Sequence, residues 1–274
     1  MPELPEVEVV RRGLQHWTAD RTLTEVEVLH PRAIRRHIAG AADFIAALTG
    51  QHLREVRRRG KFLWWPLDDG TALVAHLGMS GQFRVEAEPG VHTRIRMHLD
   101  RALLFDDQRT FGGMWVDPLV DGVPVALLGI AADPFSSQFD RGRVVRTIRS
   151  RRAPIKALIL DQSIVSGIGN IYADEALWEA RVHWRTAGQD LSAGKVGRIL
   201  NAAAAVMSQA VVAGGTSFDR LYVNVNGSSG YFQRDLHAYG RQGQPCGRCG
   251  TLIVREAFAN RSSFRCPRCQ RPRH

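Results

Sequence analysis

The chain has 274 residues and a formal net charge of +10, from 37 Lys+Arg against 27 Asp+Glu. Its 44% hydrophobic and 23% charged residues exclude wholesale disorder, and its length predicts two lobes rather than one core. The basic excess points to a polyanionic partner, nucleic acid ahead of an acidic membrane surface. Only Lys61, Lys156 and Lys195 are lysines, so arginine dominates; its planar fork suits phosphate, although genome base composition alone can enrich it.

In chain order, Met1 to Glu6 is acidic and lacks the apolar run of a secretion signal, which places the expected location in the cytoplasm. A helix is predicted from Pro5 through Gly13, with Val7, Val10 and Leu14 on one face. Strand signals then dominate to about Val116. Lys61–Trp65 and Leu73–Leu77 flank an Asp68-Asp69-Gly70 turn and read as a hairpin; Gln82–Glu86, Arg94–Leu99 and Ala102–Phe105 continue the pattern. Short strands at this spacing imply a sandwich or barrel. From about Asp133 the pattern turns helical, with candidates at Ile155–Asp161, Asn170–Ala180 and Gly197–Ala213. The Ala-rich stretch from Ile199 is too short to span a bilayer and reads as a buried helix.

Four features carry chemistry. Cys246-x-x-Cys249 and Cys266-x-x-Cys269, the only cysteines, have the spacing of a zinc ribbon, in which four thiolates surround one structural Zn2+; two redox pairs or two disulfides are the alternatives. Ser166-Gly167-Ile168-Gly169-Asn170 reads as a glycine turn between helices, with Asn170 at the N-cap, where a phosphate could approach; an ordinary helical hairpin has the same composition. The loops His76–Gly81 and Asp107–Gly113 carry Met79, Arg109 and Phe111, side chains able either to wedge into a base stack or to fill the core. Finally, loss of Met1 would expose the secondary amine of Pro2. With a reference pKa near ~8 it is far less basic than lysine at ~10.4. It could form an iminium with a sugar carbon while Glu3 moves protons, or Pro2 could simply open a helix.

Together the stretches Met1–Glu8, Arg58–Lys61, His76–Gly81, Gln108–Gly112, Ser166–Ala173, Tyr239–Arg241 and Arg261–Pro267 resemble, in order, the formamidopyrimidine-DNA glycosylases of the Fpg/Nei group. The resemblance implies an α+β fold: an N-terminal β-sandwich lobe with an N-terminal helix (1–132), a helical lobe with a helix-two-turn-helix element (133–236) and a β-hairpin zinc ribbon (237–274). It implies a monomeric enzyme that removes oxidised purines from damaged duplex DNA and cleaves the resulting abasic site. Pro2 would be the nucleophile, Glu3 the proton donor, Lys61 the assistant in β-elimination and Arg261 the residue serving δ-elimination. Met79, Arg109 and Phe111 would fill the gap left by the flipped nucleotide, and His76, His92, Arg152, Lys156, Asn170 and Tyr239 would hold the DNA. Residues 217–229 would form the loop over the flipped base. Two other readings are a Nei-like enzyme for oxidised pyrimidines and a non-catalytic zinc-ribbon DNA-binding protein.

Overall fold

The computed structural model describes residues 2–215 and 236–272. The chain divides into two compact units, Met1–Gly129 with Ala213–Tyr231 and Ile130–Val212 with Phe232–His274. The 217–229 loop and Met1 lie outside the described residues.

The first unit begins with helix α1 (Leu4–Thr18), longer than the predicted Pro5–Gly13. The extra turn is fixed from a distance: Thr18 Oγ1 donates to Leu14 O at 2.8 Å and accepts from Trp65 Nε1 at 2.9 Å. Strands β1 (Arg21–Thr22) and β2 (Glu25–Val28), a 3-10 turn (Pro31–Ile34), helix α2 (Gly40–Leu48) and strand β3 (His52–Leu53) follow. Helix α2 falls in the region read as strand; Phe44 and Leu48, four residues apart, bury one face of it. Then come β4 (Arg57–Arg59), β5 (Phe62–Pro66), β6 (Thr71–His76), β7 (Gly81–Val85), β8 (Thr93–His98), β9 (Ala102–Asp107), β10 (Gly113–Val120) and β11 (Val123–Pro124).

These strands form a five-stranded sheet, β11-β10-β6-β5-β4, and a four-stranded sheet, β2-β8-β9-β7. The expected β5–β6 hairpin is present, with Phe62 opposite His76. Leu63, Trp65, Leu73 and Met114 of one sheet share a core with Phe83, Ile95, Met97 and Phe105 of the other, and Val7, Val10 and Leu14 of α1 join it. This is a β-sandwich with a helix at its start.

The second unit contains α3 (Arg141–Arg149), α4 (Ile155–Leu160), α5 (Asn170–Glu179) and α6 (Ala193–Val212), then the hairpin β12 (Val254–Phe258) and β13 (Arg261–Arg265). Helix α3, absent from the sequence reading, is capped by Asp140, whose carboxylate accepts from Arg143 N at 2.8 Å, and buries Val144 and Ile148. Among the described residues no helix is long and apolar enough to cross a membrane.

Candidate active site and nucleic-acid interface

Pro2 is buried at the start of α1, and Glu3 is its N-cap. Glu3 N donates to Glu6 Oε2 at 2.8 Å, and the Glu3 carboxylate faces the Glu6 amide, completing a capping box. The positive end of the helix favours an anion at Glu3. An extended backbone at Glu3 (φ −108°, ψ −169°) turns Pro2 off the helix path. One helical turn on, Glu8 accepts from Arg11 and from Arg58, the latter at 3.0 Å. Burial pushes the Glu8 carboxyl up, but the two guanidinium groups together bring it below its ordinary value. Arg58 in turn donates to Gly60 O at 2.9 Å. Gly60 takes φ +56° in the two-residue turn joining β4 and β5, and Lys61, the other turn residue, is buried. A chain of contacts thus runs from α1 through Arg58 to the backbone beside Lys61.

His76 ends β6 with its ring 4.6 Å from that of Phe62. Burial, reinforced by the positive charges of Arg36, Lys61 and Arg35, pushes its imidazole down to about 4. The ring is therefore neutral at pH 7. Its Nδ1 accepts from Gly78 N at 3.1 Å, which leaves the proton on Nε2.

The two loops that follow β6 and β9 meet backbone to backbone. A Cβ on Gly78, which has φ +63°, would stand 2.3 Å from Gly112 N, so nothing larger than glycine fits. Met79 is 40% and Phe111 47% exposed, and Arg109 is exposed too, which excludes the core-filling alternative. Arg109 Nη1 reaches Met79 Sδ at 3.9 Å, which brings two of these three side chains together. The organiser, unforeseen from sequence, is buried Asp107: its carboxylate accepts from Ser80 Oγ at 2.6 Å, Arg109 N at 3.2 Å and Gly112 N at 2.7 Å. His92 is exposed immediately before β8, and its backbone carbonyl accepts from Asp107 N at 2.9 Å.

In the second unit, Gln162 shapes the glycine turn, accepting from Gly167 N at 2.9 Å and donating to Ile168 O at 3.1 Å. Asn170 is the first helical residue of α5 and not its cap, which is Gly169. Its Nδ2 donates instead to Ser262 O at 3.0 Å, beside Arg261. Lys156, expected at the DNA backbone, is 0% exposed. Its Nζ donates to Asp174 Oδ1 at 2.7 Å and to Ser262 O at 3.2 Å, and lies 5.0 Å from the Phe258 ring centre. Asp174 also accepts from Ser263 Oγ and Phe264 N, both at 2.9 Å. Burial pushes the Asp174 carboxyl up to about 6 against the downward pull of Lys156. The next residue, Glu175, accepts from the amides of His237, Ala238 and Tyr239 at 2.8–2.9 Å. Neighbouring carboxylates on α5 therefore seat the hairpin and the 237–239 segment ahead of it, while the Tyr239 ring packs edge-on to Phe264 at 5.0 Å. Of the hairpin arginines, Arg265 is forked onto Glu256 and Arg255 bonds Ser262 Oγ; Arg261 is exposed at the tip, beside Ala259 at φ +48°. Arg152 is also exposed.

The four cysteines converge as one cluster, not two pairs. Their Sγ atoms all lie within 4.8 Å of one another, with Cys249 3.4 Å from Cys266 and 3.5 Å from Cys269. Tetrahedral zinc with Zn–S bonds of ~2.3 Å spaces its sulfurs ~3.8 Å apart, so the set fits. Trp178 Nε1 donates to Cys246 Sγ at 3.4 Å, a contact that favours thiolate. Trp178 is itself stacked on His237 and covered by the Arg248 guanidinium at 3.7 Å. Cys246, Cys249, Cys266 and Cys269 would hold one structural Zn2+, with four protein ligands and no open coordination position.

Comparison with known proteins matches three family models along the chain: the formamidopyrimidine-DNA glycosylase N-terminal domain over residues 1–114, the formamidopyrimidine-DNA glycosylase H2TH domain over 130–220, and a zinc finger found in FPG and IleRS over 243–272. The chain is 54% identical to a formamidopyrimidine-DNA glycosylase of Thermobifida fusca, covering 100% of this chain and 99% of the relative. It is similar to the crystal structure of MutM (FPG) from Thermus thermophilus, at TM-score 0.88 and 38% identity over 98% of both chains. It is also similar to a MutM solved in complex with DNA containing carbocyclic 8-oxo-G, at TM-score 0.87 and 30% identity over 99% of this chain and 100% of that one. With full-length identity above one half and its sandwich, two-turn helical element and cysteine hairpin all accounted for, the chain belongs to the formamidopyrimidine-DNA glycosylase family.

Proposed function

We propose that this chain is a bifunctional base-excision-repair enzyme, a glycosylase and abasic-site lyase for oxidised purines in duplex DNA, acting as a cytoplasmic monomer. In this reading residues 1–132 carry the chemistry, 133–236 grip the backbone and 237–274 form the zinc module. Once Met1 is removed, the Pro2 nitrogen forms a bond to C1′ as the C1′–N glycosidic bond breaks, and the base leaves with that electron pair and a proton moved by Glu3. The proline nitrogen loses its proton and the C1′–O4′ bond breaks, O4′ taking up a proton, to give a ring-opened iminium. Loss of a C2′ proton then expels the 3′ phosphate by β-elimination with Lys61 assisting, and loss of a C4′ proton expels the 5′ phosphate by δ-elimination with Arg261 at the hairpin tip.

The observation that carries this reading is the capping box: Glu3 is held at the positive end of α1 with Pro2 directly before it. Exposed Met79, Arg109 and Phe111 support a nucleotide flipped out of the stack, whose extrusion costs a few kcal/mol. Neutral His76 supports a phosphate contact through Nε2–H. His92, Arg152, Asn170 and Tyr239 serve as further DNA contacts, whereas buried Lys156 acts by holding the Ser262 carbonyl next to Arg261.

The test compares cleavage of an 8-oxoguanine:C duplex with cleavage of a thymine-glycol duplex. Faster cleavage of the oxidised purine is expected. A preference for thymine glycol would move the chain to the pyrimidine-specific reading, and binding without cleavage of either would reduce it to a DNA-binding protein.

A further inference from the structure

The backbone of the gap-filling loop is gripped through its amides by one residue and through its carbonyls by another. Asp107, buried at the end of β9, accepts from the loop amides of Arg109 and Gly112 and from Ser80, the residue after Met79. Arg35, which follows the 3-10 turn, grips the carbonyls instead, donating to three consecutive ones: Nη1 to Thr110 O at 3.0 Å and Gly112 O at 2.9 Å, Nη2 to Phe111 O at 2.7 Å. The same Nη1 bonds Arg32 O at 3.1 Å, tying the clamp to its own turn. Between the two grips Thr110 is held at φ +52°, a left-handed conformation that a β-branched residue keeps only under restraint. The close approach of Gly78 to Gly112 joins the Met79 loop to the same assembly.

We infer that Arg35 and Asp107 are positioning residues that lock Met79, Arg109 and Phe111 into one rigid wedge for opening the base stack. This rests on the glycosylase reading above. The physical reason is that a wedge offsets unstacking only if it enters already ordered; a loop that must be ordered on insertion adds that entropy to the barrier. A misplacement of about 1 Å at such a site can cost on the order of a hundredfold in rate. Lysine at position 35 could not substitute, because a single ammonium lacks the planar fork that spans three carbonyls.

The test uses the full chain and the variants Arg35→Gln, Arg35→Lys and Asp107→Asn, each checked for an unchanged melting temperature of the bulk fold. Arg35 is exposed, so its variants remain informative if Asp107→Asn folds poorly. Two rates are compared, base excision from an 8-oxoguanine:C duplex and nicking of a duplex with a pre-formed abasic site, which has no base to extrude. A duplex carrying 2-aminopurine beside the lesion separately reports opening of the stack on binding. Excision is expected to fall 10- to 100-fold in Arg35→Gln and Arg35→Lys, with abasic nicking changed less than threefold and the fluorescence rise diminished. Equal loss of both rates, or an unchanged fluorescence rise, would overturn the inference. Should the unsubstituted chain excise no base, the glycosylase reading fails, while the fluorescence comparison still decides whether Arg35 sets the wedge.

Discussion

In the first unit the loops bearing Met79, Arg109 and Phe111 are fixed by backbone approach, by Asp107 and by Arg35, and they stand on two sheets that share a large apolar core. In the second unit Arg261 is carried by a hairpin of only two strands, an element that is marginal by itself in water. Its small apolar cluster is built around Cys246 and Cys266 together with Trp178, Ala238 and Ile253. The hairpin is held instead by thiolates around a metal, by Asp174 and Glu175 at its base, and by Gln270, which donates to Val182 O and accepts from Cys266 N. Where burial supplies the stability, polar groups can be devoted to aiming side chains. Where burial is scarce, polar and metal-binding groups become the scaffold.

Zinc removal should break this contrast most sharply. Structural zinc contributes roughly 10–16 kcal/mol of apparent binding energy in small modules, which here is folding energy of the hairpin. Chelation, or Cys249→Ser, is expected to erase hydrogen-exchange protection in β12 and β13 and to abolish tight duplex binding, while β5 and β6 stay protected. Loss of protection in both sets of strands would show that the two units do not differ in this way. Next in size is Asp174→Ala, which leaves Lys156 buried without its carboxylate; breaking such a pair costs about 3–5 kcal/mol. The loss should appear in thermal unfolding and in δ-elimination, the step assigned to Arg261, more than in base excision.

The units should also part company in acid. His76 titrates at about 4 in the folded chain against its ordinary 6.5, so the unfolded state binds more protons between those values and stability falls as pH drops from 6.5 to 4. The shift corresponds to about 3 kcal/mol. Asp174 has the opposite sign: raised to about 6 from 3.8, it makes the folded state the better proton binder in that window, so its contribution grows as pH falls. Hydrogen exchange at pH 7 and pH 4.5 should show β6 losing protection relative to β13. An equal change in both would remove the pH distinction.

Much of this was readable in the sequence where the signal is local. The β5–β6 hairpin announces itself through Asp69-Gly70 between apolar runs, and the cysteine knuckles through their spacing. Helices α2 and α3 carry weak local signals: α2 has no side-chain cap, and the buried face of α3 consists of only Val144 and Ile148. What sequence could not supply is pairing across long separations. Arg35 meets residues 75–77 positions away, Asp174 reaches Ser263 across 89, and Glu175 holds amides 62–64 positions on. The same holds for Asn170, which looks like a cap but bonds Ser262 across 92 residues, and for Lys156, whose partners exist only in the fold.

In the proposed reaction covalent chemistry belongs to the amine just before α1 and not to any of the three lysines. Borohydride reduction of the chain on an abasic duplex, followed by peptide mapping, tests it most directly. A trapped adduct on Pro2 is expected, and its loss in Pro2→Glu, which has no secondary amine at this position. An adduct on Lys61, or undiminished trapping in Pro2→Glu, would contradict it.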